Sequence, residues 1–315
     1  MKWVYTSQRK EYANALTELG KTRTDVVVLD ADLSSSTRTI EFAKKFPERF
    51  FNCGIAEQNM MGTAAGLAAS GKVVFASSFA VFATGRCWDQ IRQSIAYPNL
   101  DVKIVATHAG ITVGGDGASH QALEDIGLMR SLPNMTVIVP ADGIEAYKAV
   151  MAAADLCGPC YVRLGRADVP MLTSMESEFI IGKATVLREG ADVTLVGCGQ
   201  MVAACMDAAE ELQKRGIEAE VVNMSTVKPL DQETLLRSVE KTGAVVTAEE
   251  HSIATGLGSA VASVLGENLP TPMKMIGTPD CFGESGESEE LMRRYGLTAE
   301  RVALAAEEVI RRKRP

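Results

Sequence analysis

The chain has 315 residues, with 32 Lys and Arg against 40 Asp and Glu and a formal net charge of −8 at pH 7. That length is comfortable for two domains, the acidic balance leaves no electrostatic footprint for nucleic acid or an anionic membrane, and no run of about 20 apolar residues is present to span a bilayer. The seven cysteines are scattered and odd in number, and the start MKWVYTSQRKEY lacks the apolar core of a signal peptide, so a cytoplasmic protein with reduced thiols is expected.

Short β-rich runs alternate with helix-like stretches through the first half. Strands are expected at residues 26–29, 73–77, 102–106, 136–139 and 161–164, and helices at 9–19, 56–69, 84–95, 122–130 and 143–154. Near-continuous apolar strands separated by helices make a parallel sheet covered on both faces, and ligands of such sheets gather beyond the carboxyl ends of the strands. Polar residues collect there: Asp30, Asp32 and Ser34 to Ser36 after the first strand, residues 77–82 after the second, 108–120 after the third and Arg166 after the fifth. Residues 168–178, DVPMLTSMESE, have proline, polar residues and no clear period, as a linker does. The alternation then returns, with strands expected at 193–196, 219–222, 244–247 and 273–276 and helices at 201–215, 232–240, 256–265 and 298–311. The expected fold is α/β, two doubly wound domains, each a mostly parallel sheet covered by helices, at residues 1–170 and 181–315 with a linker at 171–180. The basic tail RRKRP is expected to be solvated.

Glu57 stands in FFNCGIAEQNMMGTAAGLAASG, residues 50–71, among small and apolar neighbours that admit a close helix crossing or a subunit contact. A carboxylate at the start of such a helix is expected to be at least half buried, an environment that helps a carboxyl hold or share a proton, although the helix dipole alone also favours an acid there. Residues 107–121, THAGITVGGDGASHQ, hold two of the three histidines, His108 and His120, with Asp116 between them. Imidazoles and a carboxylate on a flexible strand-end loop suit proton transfer or polar substrate groups. Their spacing matches no common zinc pattern. Phe79 and Phe82 can form an apolar wall for a flat ring or belong to the core. Arg9, Arg163 and Arg166 are candidate anion clamps or surface charges. Cys157-Gly-Pro-Cys160 ends a helix and precedes a strand, the reverse of the thioredoxin context, and reads as a turn. The glycines around 197–199 and 256–258 lack the third glycine of a dinucleotide fingerprint. His251 is expected to be structural or at an interface.

The order of these motifs resembles the C-terminal half of transketolase over essentially the whole chain. The family's GI-x-E-x-x-M stretch appears as Gly54-Ile55-Ala56-Glu57-Gln58-Asn59-Met60, its aromatic stretch and DQIR as residues 78–82 and 89–92, its TH and GEDGPTHQ elements as Thr107-His108 and residues 114–121, and its ADL-x-x-S segment as residues 31–36. The resemblance implies that Glu57 bonds the aminopyrimidine of thiamine diphosphate and favours its imino tautomer, that Phe82 with Phe79 packs on that ring, and that Asp32 lies near the cofactor. It implies that His108 and His120 contact sugar hydroxyls and assist proton transfer, that Asp116 reads a substrate hydroxyl, and that Arg9, Ser36, His108 and Arg166 hold the phosphate of a sugar phosphate. Gly115 and Ala118-Ser119 depart from the family pattern, which bears on substrate choice rather than reaction class.

The implied reaction moves a two-carbon ketol unit from a ketose phosphate to an aldose phosphate. Family members carry a further N-terminal domain that binds the diphosphate and Mg²⁺. Gly115-Asp116-Gly117 is not that metal motif, because PADGIEAYKAV downstream holds no asparagine. Met1 followed at once by family-like sequence implies a native start, hence a split enzyme. This chain would be the pyrimidine-binding subunit, with no metal ligands of its own, and an N-terminal diphosphate-binding subunit would complete the site, most simply as α2β2. The rivals are the β subunit of a 2-oxo acid dehydrogenase, 1-deoxyxylulose-5-phosphate synthase, whose similar loop sits in one long chain, and a non-catalytic scaffolding subunit.

Overall fold

The computed structural model describes residues 2–313; Met1, on which the expected native start rests, and Arg314 and Pro315 of the basic tail lie outside the described residues. In chain order the first half runs β1 (Tyr5–Thr6), α1 (Gln8–Thr22), β2 (Val26–Asp30), α2 (Ser34–Thr37), α3 (Ile40–Lys45), β3 (Phe50–Asn52), α4 (Glu57–Ala69), β4 (Val73–Ser77), α5 (Trp88–Gln90), β5 (Val102–Ala106), α6 (Asp125–Arg130), β6 (Thr136–Ile138), α7 (Gly143–Asp155), β7 (Cys160–Arg163) and β8 (Val169–Pro170). The second half runs β9 (Thr185–Arg188), β10 (Val193–Gly197), α8 (Met201–Gln213), β11 (Ala219–Asn223), β12 (Thr226–Lys228), α9 (Gln232–Thr242), β13 (Val245–Ser252), α10 (Leu257–Asn268), β14 (Met273–Thr278), α11 (Ser288–Arg294) and α12 (Ala299–Arg311).

Seven strands form one sheet in the order β12-β6-β7-β5-β4-β2-β3, and five form another, β14-β13-β10-β11-β9. Every residue of β2, β4 and β5 is buried. These strands are valine-rich, and branched side chains packed on both faces favour the extended backbone. Pairing is parallel within each sheet except at β12 and β9, which run antiparallel to β6 and β11. The expected α/β architecture of two helix-covered, mostly parallel sheets is what the chain adopts.

Three local expectations change. Residues 84–95 are not one α-helix; wide π-helical turns at Val81–Arg86 and Ile91–Ala96 flank the short α5. Gly85 weakens the helical register there, and Arg86 is drawn to Glu57. α6 begins only at Asp125, because Ala122 forms a bridge with Ala109 and its carbonyl accepts from Gly110 N at 2.9 Å. β12 lies in the second half of the sequence yet closes the edge of the first sheet, with Thr226 opposite Ile138. One hydrophobic cluster accordingly runs through both halves, joining Met60, Ile91 and Ile104 to Val196, Val222 and Leu257.

Residues 171–184 are irregular. They are tied down by Asp142, the N-cap of α7, whose carboxylate accepts from the backbone N–H groups of Leu172 and Thr173 at 2.7 Å each. No helix among the described residues is long and apolar enough to cross a membrane.

A Cβ on Gly190 would lie 2.2 Å from the backbone N of Glu220, which cannot move aside. Gly190→Ala should therefore cost about 1–3 kcal/mol or more in urea unfolding. Gly266, with nothing within 4 Å of its Cβ position in α10, should gain about 0.5–1 kcal/mol on replacement by alanine.

Candidate active site

β2, β4, β5 and β7 run parallel, so their carboxyl ends open on one edge of the sheet. At the end of β2, Asp30 is fully buried and accepts from Leu33 N at 2.6 Å and from the hydroxyls of Thr37 and Thr39 at 2.7 and 2.8 Å. Asp30 builds the turn into α2 instead of facing a ligand. Asp32 is exposed, in left-handed backbone (φ 63°), and accepts from Asn52 Nδ2 at 3.0 Å. The Asn52 side-chain oxygen Oδ1 in turn accepts from the backbone N–H groups of Asp32 and Gly54 at 3.1 and 3.0 Å. These bonds align the turn after β2 with the Gly54 turn that leads into α4.

Glu57 is the first residue of α4 and is 3% exposed. Its carboxylate accepts from Arg86 Nη1 at 2.7 Å. The Arg86 guanidinium also lies over the ring of Phe82, 4.7 Å from its centroid, as the wide turn at 81–86 directs. Phe79 and Phe82 are near-parallel, 17° between planes and 6.1 Å between centroids. Phe79 is buried and Phe82 half-buried. Glu57 therefore sits beside an aromatic wall and is ion-paired with a half-exposed arginine.

His108 follows β5 by two residues in left-handed backbone (φ 58°). Its ring stacks on Phe79 at 3.8 Å between centroids, and its Nδ1 bonds the Thr107 hydroxyl at 2.9 Å. Burial, with the nearby charges of Arg9, Arg166 and His120, pushes its pKa down to about 3, so the imidazole is neutral at physiological pH. His120 is half-buried and meets Phe82 edge-on at 5.3 Å between centroids, and its Nδ1 bonds Ser119 Oγ at 2.9 Å. Among the described residues, each Nε2 is left without a protein partner.

Arg9 and Arg166 meet behind His108. Arg9 donates to the carbonyls of Ser36 at 3.0 Å and of Arg166 at 2.9 Å, and its Nε is buried without a partner. Burial, then the charges of Arg38 and Arg166, lower the Arg9 pKa. Arg166 donates to Val113 O at 2.6 Å and lies 3.7 Å from the Asp116 carboxylate. A groove of about 620 Å³ beside Arg9 is lined by Lys10, Arg38 and Lys45 among others. Glu57, Phe79, Phe82, His108, His120, Arg9, Ser36, Asp116 and Arg166 thus share one edge, with Asp32 at the turn beside Gly54. Ser36 touches Arg9 through its carbonyl, not its hydroxyl.

Two arginines escaped the sequence reading. Arg86 follows Phe82 by four residues, a helical spacing that was available as a signal; Arg38 reaches Arg9 only through tertiary folding. One expected clamp is corrected. Arg163 is 6% exposed and held through Nε and Nη2, which donate to both carboxylate oxygens of Asp125 at 2.7 and 3.2 Å and to the carbonyls of Ala122 and Glu250 at 3.2 and 2.9 Å. His251 is wholly buried and accepts from Ile126 N at 3.1 Å, a structural role as expected. In the CGPC stretch Gly158 (φ 98°) bends the chain between α7 and β7, Cys157 is exposed, and burial pushes the Cys160 thiol up to about 12.

Residues 5–171 match the model of the transketolase pyrimidine binding domain, and residues 182–302 that of the transketolase C-terminal domain. The chain belongs to the transketolase family. Within it, the chain corresponds to the half comprising those two domains. It is 52% identical to a putative transketolase C-terminal section of Methanocaldococcus jannaschii, over 95% of each chain. It is 46% identical to a 6-deoxy-6-sulfo-D-fructose transketolase subunit of Clostridium sp., over 97% of this chain and 95% of that one. A solved split gene transketolase, described as an inactive β4 tetramer, superposes with a TM-score of 0.92 at 54% identity, over 98% of this chain and all of that one.

The depressed His108 pKa has a direct readout. Its ring proton resonances should not titrate between pH 8 and 5 and should begin to shift only as the pH approaches about 3. Because the unfolded chain takes up this proton near pH 6.5 and the folded chain does not, the contribution of His108 to stability is complete above about pH 6.5 and is lost as pH falls toward 3. A midpoint near 6.5 in the folded protein would contradict the burial argument.

Proposed function

We propose that this chain is the pyrimidine-binding subunit of a thiamine-diphosphate-dependent transketolase, transferring a two-carbon ketol unit between sugar phosphates with a second polypeptide that supplies the diphosphate and Mg²⁺ site. The observation that carries the reading is the position of His108. It stacks on the aromatic wall beside Glu57 and lies in the field of Arg9 and Arg166, so a ring-binding site and an anion-binding site meet at one imidazole.

The residues present fit the aminopyrimidine end of the cofactor. Phe79 and Phe82 offer near-parallel faces to a flat ring, Glu57 is a buried carboxyl beside them, and the Ser78 hydroxyl is buried without a partner. When bound, thiamine diphosphate supplies the carbanion-stabilising chemistry that protein side chains lack. Glu57 would hydrogen-bond a pyrimidine ring nitrogen, with Arg86 fixing the carboxylate through its 2.7 Å bond. Asp32 would border the cofactor from the turn beside Gly54.

His108 and His120 would meet sugar hydroxyls through Nε2, since Thr107 and Ser119 occupy each Nδ1. Neutral His108 can offer a hydroxyl a hydrogen bond at that atom, as donor or acceptor according to its tautomer. Asp116 would read a further hydroxyl. Arg9 and Arg166, with Ser36 and His108, would take the terminal phosphate, for which Arg9 Nε has an unused donor. The 6-sulfo sugar in the name of one relative also ends in an oxyanion, which suits the same guanidinium pair.

Phe51, Ile55 and Tyr97 are 41%, 80% and 84% exposed around α4 and the helix beside it. That apolar exposure supports a partner surface next to Glu57, and α2β2 is the simplest assembly. The solved relative that contains β subunits alone is described as inactive, which supports the need for a second chain.

Ketol transfer from xylulose 5-phosphate to ribose 5-phosphate, with thiamine diphosphate and Mg²⁺, is expected only when this chain is mixed with its diphosphate-binding partner. Glu57→Gln should lower turnover by about 10²–10⁴-fold while the assembly stays intact by sedimentation. Activity from this chain alone would sink the split-site reading, and CO₂ release from a 2-oxo acid would move the assignment to a dehydrogenase component.

A further inference from the structure

The loop at 107–121 is glycine-rich, and in the sequence that composition suggests flexibility. The structure gives its glycines another reason. Gly110, Gly114 and Gly117 all have positive φ, at 83°, 78° and 74°. A Cβ on Gly110 would stand 2.3 Å from the Glu250 carboxyl, one on Gly114 would stand 3.2 Å from Gly286 O and Ser288 Oγ, and one on Gly117 would stand 2.5 Å from Ser285 Oγ. All of these neighbours belong to the second half of the chain. The glycines mark where that half presses against the loop.

Thr112, 4% exposed, anchors the contact. Its backbone N–H and its hydroxyl donate to the same Glu250 carboxylate oxygen at 2.7 and 2.8 Å, and its carbonyl accepts from Ser288 Oγ at 2.9 Å. Every polar group of Thr112 is thus bonded across the junction. Glu250 is itself held: its other carboxylate oxygen accepts from Gln200, and its carbonyl accepts from Arg163 Nη2 at 2.9 Å. Gln200 follows the Gly197–Gly199 turn, where Gly197 packs close to Val202 and Gly199 to Val139. At the far end of the loop, Gln121 Nε2 donates to Ile111 O at 3.1 Å and to Glu284 O at 2.9 Å.

We propose that Glu250 and Ser288 are positioning residues: through Thr112 the second domain sets the loop that carries Asp116 and His120, and so controls how the sugar phosphate is read. What the loop reads rests on the function proposed above; that the second domain sets the loop does not. The effect extends to the anion site, because Arg166 bonds the carbonyl of Val113, the residue after Thr112. A domain that contributes no group to the chemistry thereby governs substrate affinity.

The test uses the full chain and reads amide hydrogen exchange of residues 111–117 in the wild type, Ser288→Ala and Glu250→Gln. As a control, Val150→Ala removes core volume from α7, within a hydrophobic cluster that contains no residue of the loop. Both junction variants should speed exchange of those amides about tenfold, the loss of one buried hydrogen bond to a charged or polar partner, while the control leaves them at the wild-type rate. Unchanged exchange in both junction variants, or an equal rise in the control, overturns the proposal. In the active assembly the same two variants should raise KM for the sugar phosphate about tenfold and leave the Kd for thiamine diphosphate unchanged; a KM that stays at the wild-type value overturns the link to substrate reading. The exchange measurement needs no catalysis, so failure to find ketol transfer and failure of the loop proposal give different results.

Discussion

The Phe79–His108 ring stack, 3.8 Å between centroids, is the contact on which the candidate site depends. It lies just beyond the ends of β4 and β5, where Phe79 and Thr107 still bridge in parallel register and Ala80 N donates to Thr107 O at 2.8 Å. The sheet's own hydrogen bonding therefore delivers both rings to one place. His108 can turn its ring onto Phe79 because its backbone adopts the left-handed region, which is uncommon for a residue with a Cβ. Aromatic wall, neutral imidazole and arginine pair follow in sequence from that one contact, and the same burial keeps His108 uncharged.

A second constraint is the polar junction between the two halves. Asp125, Arg163, Tyr161, Glu249, Glu250 and His251 are all buried. Against a burial that opposes charge, Arg163 and His251 hold Asp125 below the usual carboxylate range. Such a network is a poor source of stability compared with an apolar core of equal volume, but each member is strongly position-specific once its partners are in place. Glu249 accepts from the first amides of α10, Leu257 at 2.7 Å and Gly258 at 2.8 Å, while its neighbour Glu250 faces the loop. Adjacent carboxylates on one strand point to opposite faces of the sheet and so join a helix start on one side to the candidate site on the other. With β12 added to the first sheet, the two halves are bound through both backbone and side chains.

Element type and order were legible from the sequence because each long element carries its own signal. Buried runs such as Val73–Ser77 and Val102–Ala106 matched their strands residue for residue, and the helix expected at 143–154 is Gly143–Asp155. The two phenylalanines, the two histidines and Arg166 were also visible, since strand ends in a parallel sheet mark the ligand edge before any coordinate is known, and Glu57 stood out as the acid of an apolar helix start. What stayed hidden was short or distant. Three-residue strands such as β3 and β12 are too brief to show a period, and no local feature of Thr226–Lys228 says that it pairs with residues some ninety positions earlier.

The same division separates the residues of the site. A pattern along the chain determined which side chains lie near the strand ends, because alternation and helical repeat are properties of neighbours in sequence. Whether an arginine there is open to a ligand or consumed by a buried aspartate was decided only in three dimensions, which is why Arg166 remains at the edge and Arg163 is spent on Asp125. Likewise the glycines at 110, 114 and 117 could be counted in the sequence, but their purpose lay in Glu250, Ser285 and Ser288. Close approach between segments more than a hundred residues apart leaves no periodic trace, and only the folded chain supplies it.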